Sequence, residues 1–339
     1  MPKIPKGRIP LAPKKRDVTF LSGDTALAGS LILPDTPGPH PAVVFVHGSG
    51  QEVRDGDRSV ADHFVKRGIA SLIYDKRGCG ESDGNWLDLL DHELSFPLLA
   101  EDALAGLRFL QGQNNINASQ VGFCGFSQGG WLGPLAASST PDAAFVICVS
   151  GAGVGPDEQM AFTIRNRLTA EGLTTEEIER ALSERTRAAG LARRIAASGE
   201  GWSEMTELAR DASTTRWASF VPPSSFGDVA DLEANLRPFI ELLAHNPEYR
   251  YDPVPALENL TCPLLVIWGE ADQLIPVEKS VAVFREALER SGNADLTIRI
   301  FPQADHNLLL PDGSLAPDFW ESMTDWLRQR MGADRGNGS

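Results

Sequence analysis

Cysteine is scarce in this 339-residue chain. The four cysteines lie at positions 79, 124, 148 and 262, and no two of them form a C-x-x-C pair. Such wide spacing argues against a disulfide framework and against a zinc site. Cys124 and Cys148 lie in apolar runs typical of buried strands, where a free thiol behaves as a small hydrophobic side chain. We therefore expect free thiols and no metal.

Long apolar segments are also missing. No run reaches the roughly 18 residues that a membrane-spanning helix requires. The N-terminus, Met1 to Asp17, is basic and proline-rich but lacks the apolar stretch of a secretory signal. These absences predict a cytoplasmic protein with no membrane partner.

Basic residues are outnumbered in this chain. There are 31 Lys and Arg residues against 46 Asp and Glu residues, so the net charge is −15. This balance disfavours nucleic acid or anionic lipid as a partner and mainly supports solubility. The length suits one large α/β domain with an insertion, or two domains.

A dinucleotide-binding fingerprint is absent as well. The stretch Gly151 to Gly155 would need glycine at the next position to complete G-x-G-x-x-G, and that residue is Pro156. No acidic residue ends a following strand about 20 residues later. We therefore expect no cofactor.

The sequence does contain a serine between two glycines at the end of an apolar run. Residues 121–126 are predicted as a strand and residues 131–137 as a helix, which places Ser127 at the apex of a tight turn. Backbone at such an apex is strained, and Gly125 and Gly129 remove side chains that would collide with the neighbouring elements. The helix would also direct free N–H groups towards an oxyanion. This pattern indicates a nucleophilic serine.

The same G-x-S-x-G pattern occurs a second time, from Gly80 to Gly84. Ser82 lies several residues beyond its predicted strand, among Asp, Asn and Gly residues, and no helix follows it directly. We interpret Ser82 as a loop residue and Ser127 as the nucleophile. A glycine-rich turn without chemistry is the alternative for Ser127.

A serine hydroxyl needs a general base, usually an imidazole that a carboxylate orients. Of the six histidines, only His306 lies beyond Asp272, and both are expected in loops at the carboxyl ends of the last two strands. The three candidates then follow in the order Ser, Asp, His. Asp305 and Glu270 compete with Asp272 for the orienting role, and capping of the next helix is an alternative role for Asp272.

A second glycine-rich loop, His47 to Gly50, follows the β-branched run at residues 42–46. Such a loop at the end of a central strand lets backbone N–H groups approach a ligand, as an oxyanion hole requires. We expect His47 to order this loop rather than to act as a base. Asp75 and Arg77 are expected to hold the loop after the next strand.

The segment from about 155 to 255 has a different character. Its β-type runs disappear and its pattern becomes charged and helical, with a capping box formed by Thr174 and Glu177. We interpret this segment as a helical cap over the active site. The predicted organisation is a flexible arm at 1–16, a core at 17–154 and 256–332, the cap at 155–255 and a disordered tail at 333–339.

Together these stretches resemble the α/β-hydrolase superfamily. The residues that carry the resemblance are His47-Gly48-Ser49-Gly50, Tyr74-Asp75-Lys76-Arg77-Gly78, Gly125-Phe126-Ser127-Gln128-Gly129-Gly130, Gly269-Glu270-Ala271-Asp272 and His306. Within the superfamily the chain resembles bacterial serine esterases related to the serine-aminopeptidase-like and dienelactone-hydrolase-like groups. The resemblance covers about residues 18–153 and 256–331.

The resemblance implies an α/β-hydrolase fold, with a mostly parallel central sheet, helices on both of its faces and an inserted helical cap. It also implies that the oxyanion donors are the N–H groups of Gln128 and Ser49. Two residues depart from the usual pattern: Phe126 stands where histidine is common, and Pro134 lies in the helix after the nucleophile. Neither departure removes a catalytic group.

The expected activity is hydrolysis of a small-molecule carboxylic ester through an acyl-enzyme, with Ser127, His306 and Asp272 as the catalytic triad. An aminopeptidase-like peptidase or an acyl thioesterase with the same triad is the alternative, because leaving-group specificity depends on pocket walls. A non-catalytic ligand receptor is less favoured, since such proteins usually lack a triad member. A homodimer is left open, and the sequence indicates no interface for it.

Overall fold

A computed structural model of the chain describes residues 14–86, 95–221, 228–245 and 250–331. These residues contain one eight-stranded sheet with the order β1-β2-β4-β3-β5-β6-β7-β8. The strands are β1 (Lys14–Ser22), β2 (Thr25–Leu33), β3 (His40–Val46), β4 (Ala70–Tyr74), β5 (Ile116–Phe126), β6 (Val146–Val149), β7 (Leu264–Gly269) and β8 (Leu296–Phe301). β2 is antiparallel to both β1 and β4, and the other neighbours are parallel. The expected mostly parallel sheet is confirmed.

Helices cover both faces of the sheet, as expected. The helices that cover the two faces are α1 (Arg58–Lys66), α2 (Phe96–Gln111), α3 (Gly129–Ser138), α9 (Val277–Ser291) and α10 (Phe319–Met331). Strand β3 is an uninterrupted apolar run because it is buried on both sides. Val44 and Val46 belong to the core shared with α2, α3 and α9. Val43 and Phe45 belong to the core shared with α1 and α10.

The N-terminal arm is shorter than predicted. Residues 14–16 were expected in the flexible arm, but they belong to β1, where Lys14 pairs with Leu33 and Arg16 with Leu31. The Arg16 guanidinium also donates to the Gln113 side chain. The apolar patterns at 18–21 and 26–33 predict an antiparallel hairpin, and backbone pairing with β2 extends it through residues 14–16, whose charged side chains show no strand pattern. The rest of the arm and the predicted tail at 333–339 lie outside the described residues.

A helical block lies between β6 and β7, as predicted. Its helices are α4 (Pro156–Ala170), α5 (Thr175–Ser198), α6 (Trp202–Ser213) and α7 (Leu232–His245), and α8 (Val254–Glu258) leads back to the sheet. Two clusters of buried apolar side chains, separate from those on the sheet, hold these helices together. The capping box is confirmed: the Thr174 side chain accepts from the Glu177 N–H, and the Glu177 side chain accepts from the Thr174 N–H.

Several predicted boundaries shift by a few residues. Helix α3 begins at Gly129, two residues earlier than expected, and Pro134 lies inside it. Helix α2 begins at Phe96 and β6 at Val146, whereas the apolar patterns predict starts at Leu98 and Ala144. The patterns at 296–301 and 319–331 predict the observed bounds of β8 and α10. None of the helices in the described parts of the chain is long and apolar enough to cross a membrane.

Candidate active site

Ser127 occupies a sharp turn between β5 and α3. Its φ of 53° lies in the left-handed region, and its N–H donates to the carbonyl oxygen of Val149 on the neighbouring strand, at 2.8 Å. The two flanking glycines have no room for side chains. A Cβ on Gly125 would lie 2.0 Å from the Gly129 carbonyl oxygen, and one on Gly129 would lie 2.3 Å from that of Val46. The turn therefore requires glycine at both positions, and it presents the serine hydroxyl at the end of the sheet.

The structure brings Ser127, His306 and Asp272 into one line of contacts. His306 Nε2 lies 3.1 Å from Ser127 Oγ, and His306 Nδ1 lies 2.8 Å from Asp272 Oδ2. Each residue follows the carboxyl end of a strand, β5, β8 and β7 respectively. An imidazole that is protonated at Nδ1 donates to Asp272 and accepts the Ser127 hydroxyl proton at Nε2. This is the arrangement that a hydroxyl nucleophile needs for activation.

Asp272 is buried and doubly engaged. Its Oδ1 accepts from the N–H groups of Leu274 and Ile275, at 2.8 and 3.0 Å, and its Oδ2 contacts His306. It therefore fixes its own loop, the capping-type role considered above, and also orients the imidazole. The two competing carboxylates accept from backbone N–H groups of the loop that carries His306. Asp305 accepts from the N–H groups of Asn307 and Leu309, and Glu270 accepts from that of Gln303.

Ser150 supports the loop that carries His306, and it was not predicted from the sequence. It follows β6, has a φ of 51° and is fully buried. Its hydroxyl donates to the carbonyl oxygen of His306 at 2.7 Å, which ties the histidine loop to the strand beside the Ser127 turn. A serine just after a buried strand and just before a glycine is the sequence signal that points to such a residue.

The loop from His47 to Gly50 lies against the Ser127 turn. A Cβ on Gly48 would lie 3.8 Å from the Ser127 Cβ and 3.5 Å from the Phe126 carbonyl oxygen. Within the described residues, the N–H groups of Ser49 and Gln128 donate to no backbone carbonyl. These two N–H groups belong to two segments that meet at the Ser127 turn.

Within the described residues, Ser127 Oγ is hydrogen-bonded to His306, and no hydrogen bond joins it to His47. His47 is buried, and its ring stands edge-on against Tyr74 with the ring centroids 4.6 Å apart. Burial, followed by the charge of Lys76, lowers the pKa of His47 to about 3. The ring is therefore neutral near pH 7, and the imidazole that faces the serine is that of His306.

Ser82 has the structural role that was predicted for it. Its hydroxyl donates to the carbonyl oxygen of Asp75 at 2.6 Å and accepts from the N–H of Ala28 at 2.9 Å. The Asp75 carboxylate accepts from the N–H groups of Arg54 and Glu81, so it holds the same loop. These contacts hold the loop that follows β4.

Arg77 also holds this loop, as expected. Its guanidinium pairs with the buried carboxylate of Asp102 on α2 and also reaches Ser22 and Thr25. Sequence reasoning missed Lys76, which lies between Asp75 and Arg77 in the sequence and is almost fully buried.

In the parts of the chain that the structure describes, no cluster of three or more His, Cys, Asp and Glu side chains is arranged to hold a metal ion.

Comparison with known sequences gives one family and several partial relatives. A model of the alpha/beta hydrolase family matches residues 43–318. Esterase EstD of Thermotoga maritima is 25% identical over 312 residues, which are 90% of this chain and 62% of EstD. The quorum-quenching protein AidA of Acinetobacter baumannii is 33% identical over 122 residues, which are 36% of this chain and 38% of AidA. The chain thus spans less than two thirds of these curated relatives.

Solved structures resemble the chain over nearly its whole length. The esterase Pf2001 of Pyrococcus furiosus has a TM-score of 0.56 and 18% identity, covering 97% of this chain and 96% of its own. The α/β hydrolase GrgF of Penicillium sp. sh18 has a TM-score of 0.58 and 18% identity, covering 95% and 100%. At such low identity these likenesses show a shared fold alone.

Proposed function

Because the chain belongs to the alpha/beta hydrolase family, we propose that it is a serine hydrolase that cleaves carboxylic esters through an acyl-enzyme. The observation that carries this proposal is the line of contacts from Ser127 through His306 to Asp272, with distances of 3.1 and 2.8 Å. The loop that carries Ser49 lies against the same turn, and the Ser49 N–H donates to no backbone carbonyl of the described residues. These are the parts that acyl transfer requires.

In the proposed mechanism, Ser127 Oγ attacks the ester carbonyl while His306 Nε2 takes the hydroxyl proton. Asp272 orients the imidazole and stabilises the imidazolium that forms. The N–H groups of Gln128 and Ser49 donate to the oxyanion of the tetrahedral intermediate. The intermediate collapses when His306 returns the proton to the departing alcohol. Water then attacks the acyl-enzyme by the same route and releases the acid.

The helical block between β6 and β7 is proposed to form a cap that borders the substrate pocket. Helix α4 contacts the loop that carries Asp272, because Gln159 and Thr163 both donate to the Leu274 carbonyl oxygen, at 2.8 and 2.9 Å. The Asn166 side chain donates to the carbonyl oxygen of Gln273, in the same loop, at 2.9 Å. A helix in this position supports a role for the block in limiting the size of a small-molecule substrate.

The preference for an ester is supported by similarity to EstD, which is named an esterase. The triad by itself also serves a peptidase or an acyl thioesterase, since the same attack works on amides and thioesters. A direct test compares p-nitrophenyl esters of increasing acyl length with an aminoacyl p-nitroanilide and an acyl thioester. We expect turnover of the esters with the highest kcat/KM, and a chain-length optimum that reports the depth of the pocket.

The serine provides the matched control for this test. Ser127→Ala should abolish ester turnover, whereas Ser82→Ala, at the other G-x-S-x-G serine, should retain it. A higher kcat/KM on the anilide or the thioester would replace the esterase proposal by the corresponding alternative. Equal turnover by Ser127→Ala and the wild type would refute the serine mechanism, and no turnover of any substrate would favour a ligand receptor.

A further inference from the structure

A buried lysine contacts both halves of the proposed oxyanion hole. Lys76 is 2% exposed, and its ammonium donates to the carbonyl oxygens of Gly48 and Gly50 and to Gln128 Oε1, each at 3.0 Å. A lysine ammonium is rarely buried, because desolvation of a charge is costly. At this position the ammonium joins the loop that carries Ser49 to the residue that follows Ser127.

The contact with Gly48 determines the direction of one proposed donor. The Gly48 carbonyl and the Ser49 N–H belong to the same peptide unit, and in a trans peptide these two groups point to opposite sides. Because the carbonyl points at Lys76, the Ser49 N–H points away from the ammonium. Rotation of this peptide would remove the donor and break the contact with Lys76 at once. Lys76 thus holds the Ser49 N–H in one orientation.

The contact with Gln128 reaches the other proposed donor. The Gln128 side chain is 2% exposed, and its Nε2 has no hydrogen-bond partner among the described residues. Lys76 is therefore the partner that fixes this side-chain amide. The backbone N–H of Gln128 is the second proposed donor. The Lys76 ammonium therefore contacts both the residue that carries this donor and the peptide unit that carries the Ser49 N–H.

The charge of Lys76 acts in the same region. Burial and then the charge of the Lys76 ammonium lower the pKa of His47, the first residue of the same loop. A fixed positive charge in a buried site stabilises negative charge that develops nearby, and it needs no solvent reorganisation during the reaction.

We propose that Lys76 is a positioning residue of the oxyanion hole: it aligns the Ser49 and Gln128 N–H groups with each other and adds positive charge behind them. This inference rests on the proposed serine mechanism. It assigns a catalytic consequence to a residue that does not contact the substrate. It also predicts that the effect of removing Lys76 appears in the transition state and not in ground-state binding.

The test uses the full chain and a preferred p-nitrophenyl ester, with Lys76→Met and Gln128→Met as variants. Removal of a whole oxyanion donor costs about 10²- to 10³-fold in kcat. A misaligned donor should cost less, so we expect about 10- to 100-fold for Lys76→Met and about 3- to 10-fold for Gln128→Met. KM should stay within about twofold. The Ki of an arylboronic acid, which forms a tetrahedral anion on the serine, should rise in proportion to the loss of kcat/KM.

The double variant Arg77→Met/Asp102→Asn is the matched control. It removes the neighbouring buried cation together with its carboxylate partner, and such paired replacements are often close to neutral for stability. We expect kcat and the boronate Ki within about twofold of the wild type. If Lys76→Met does not fold, Gln128→Met decides the question on the same criteria.

Three results would overturn the inference. They are an unchanged kcat in folded Lys76→Met, a raised KM with unchanged kcat, and a lowered kcat with unchanged boronate Ki. The last would indicate general loosening of the site. These failures are distinguishable from failure of the proposed function, because Ser127→Ala remains inactive in each of them. If Ser127→Ala is active, the serine mechanism itself is wrong.

Discussion

The two G-x-S-x-G turns of this chain have the same sequence pattern and different physical surroundings. Ser127 directly follows β5, adopts a left-handed φ of 53° and directs its hydroxyl at an imidazole nitrogen. Ser82 lies in a loop well beyond β4, and its hydroxyl is used by the Asp75 carbonyl and the Ala28 N–H. The glycines therefore permit a tight turn in both places, whereas the strand before the turn and the helix after it determine the role of the serine.

The largest expected contrast is in activity. Ser127→Ala removes the nucleophile and should lower kcat by at least about 10⁴-fold, because triad members act as a unit. Ser82→Ala should leave the kcat of the folded protein within about threefold. Steady-state kinetics on one ester, normalised to folded protein, measure both. Comparable losses of kcat in the two variants would show that the two serines do not differ in function.

Each serine has a nearby aspartate, and the two aspartates should differ in the same way. Asp272→Asn should lower kcat by about 10³- to 10⁴-fold, because the imidazole loses the carboxylate that orients it and stabilises its charge. Asp75→Asn weakens the contacts with Arg54 and Glu81 in the other loop. It should lower the free energy of unfolding by about 1–2 kcal/mol, with kcat within about fivefold.

Urea unfolding and ester kinetics on both aspartate variants separate these effects. A large loss of kcat in Asp75→Asn, with its stability unchanged, would show that the two loops are not functionally distinct.

The glycines after the two serines should differ in what they tolerate. A Cβ on Gly129 would lie 2.3 Å from the Val46 carbonyl oxygen, a backbone atom that cannot move aside. Gly129→Ala should therefore lower the free energy of unfolding by at least about 3 kcal/mol.

Gly84 is the matched position in the other turn. It has a φ of +92°, and its Cβ would meet the Arg77 and Thr25 side chains, at 2.9 and 3.2 Å. Gly84→Ala should cost about 1–2 kcal/mol, mostly for the left-handed backbone. Thermal and urea midpoints measured side by side test this order, and a larger loss in Gly84→Ala would contradict it.

A loss of stability of similar size is expected for Ser82→Ala. Loss of the hydroxyl leaves the buried Asp75 carbonyl and Ala28 N–H without their partner, which should cost about 1–3 kcal/mol of unfolding free energy. Ser82→Thr retains the hydroxyl and serves as the control for hydrogen bonding. An unchanged urea midpoint for Ser82→Ala would show that this serine does not hold its loop.

Much of the site could be predicted because its signals are local or ordered along the chain. A strand, a glycine-flanked serine and a helix occupy consecutive residues, and His306 was the only histidine beyond Asp272. The buried parallel strands were visible as β-branched runs, and the capping box marked the start of α5.

What could not be predicted depends on contacts between distant parts of the chain. Lys76 lies in a run of charged residues that resembles an exposed loop, whereas in the fold it is buried and contacts residues 26, 28 and 52 positions away. Ser150 supports a loop 156 positions later. The start of β1 was also missed, because the pairing of Lys14 is decided by its partner strand.

The most direct test of Ser127 as the activated nucleophile is covalent labelling with a fluorophosphonate, followed by mass spectrometry of the intact protein and its peptides. Such a reagent reports a serine that a general base has activated. We expect one adduct per chain, on Ser127, that is lost in Ser127→Ala and retained in Ser82→Ala. An adduct on Ser82, or no adduct on a folded protein that hydrolyses esters, would contradict it.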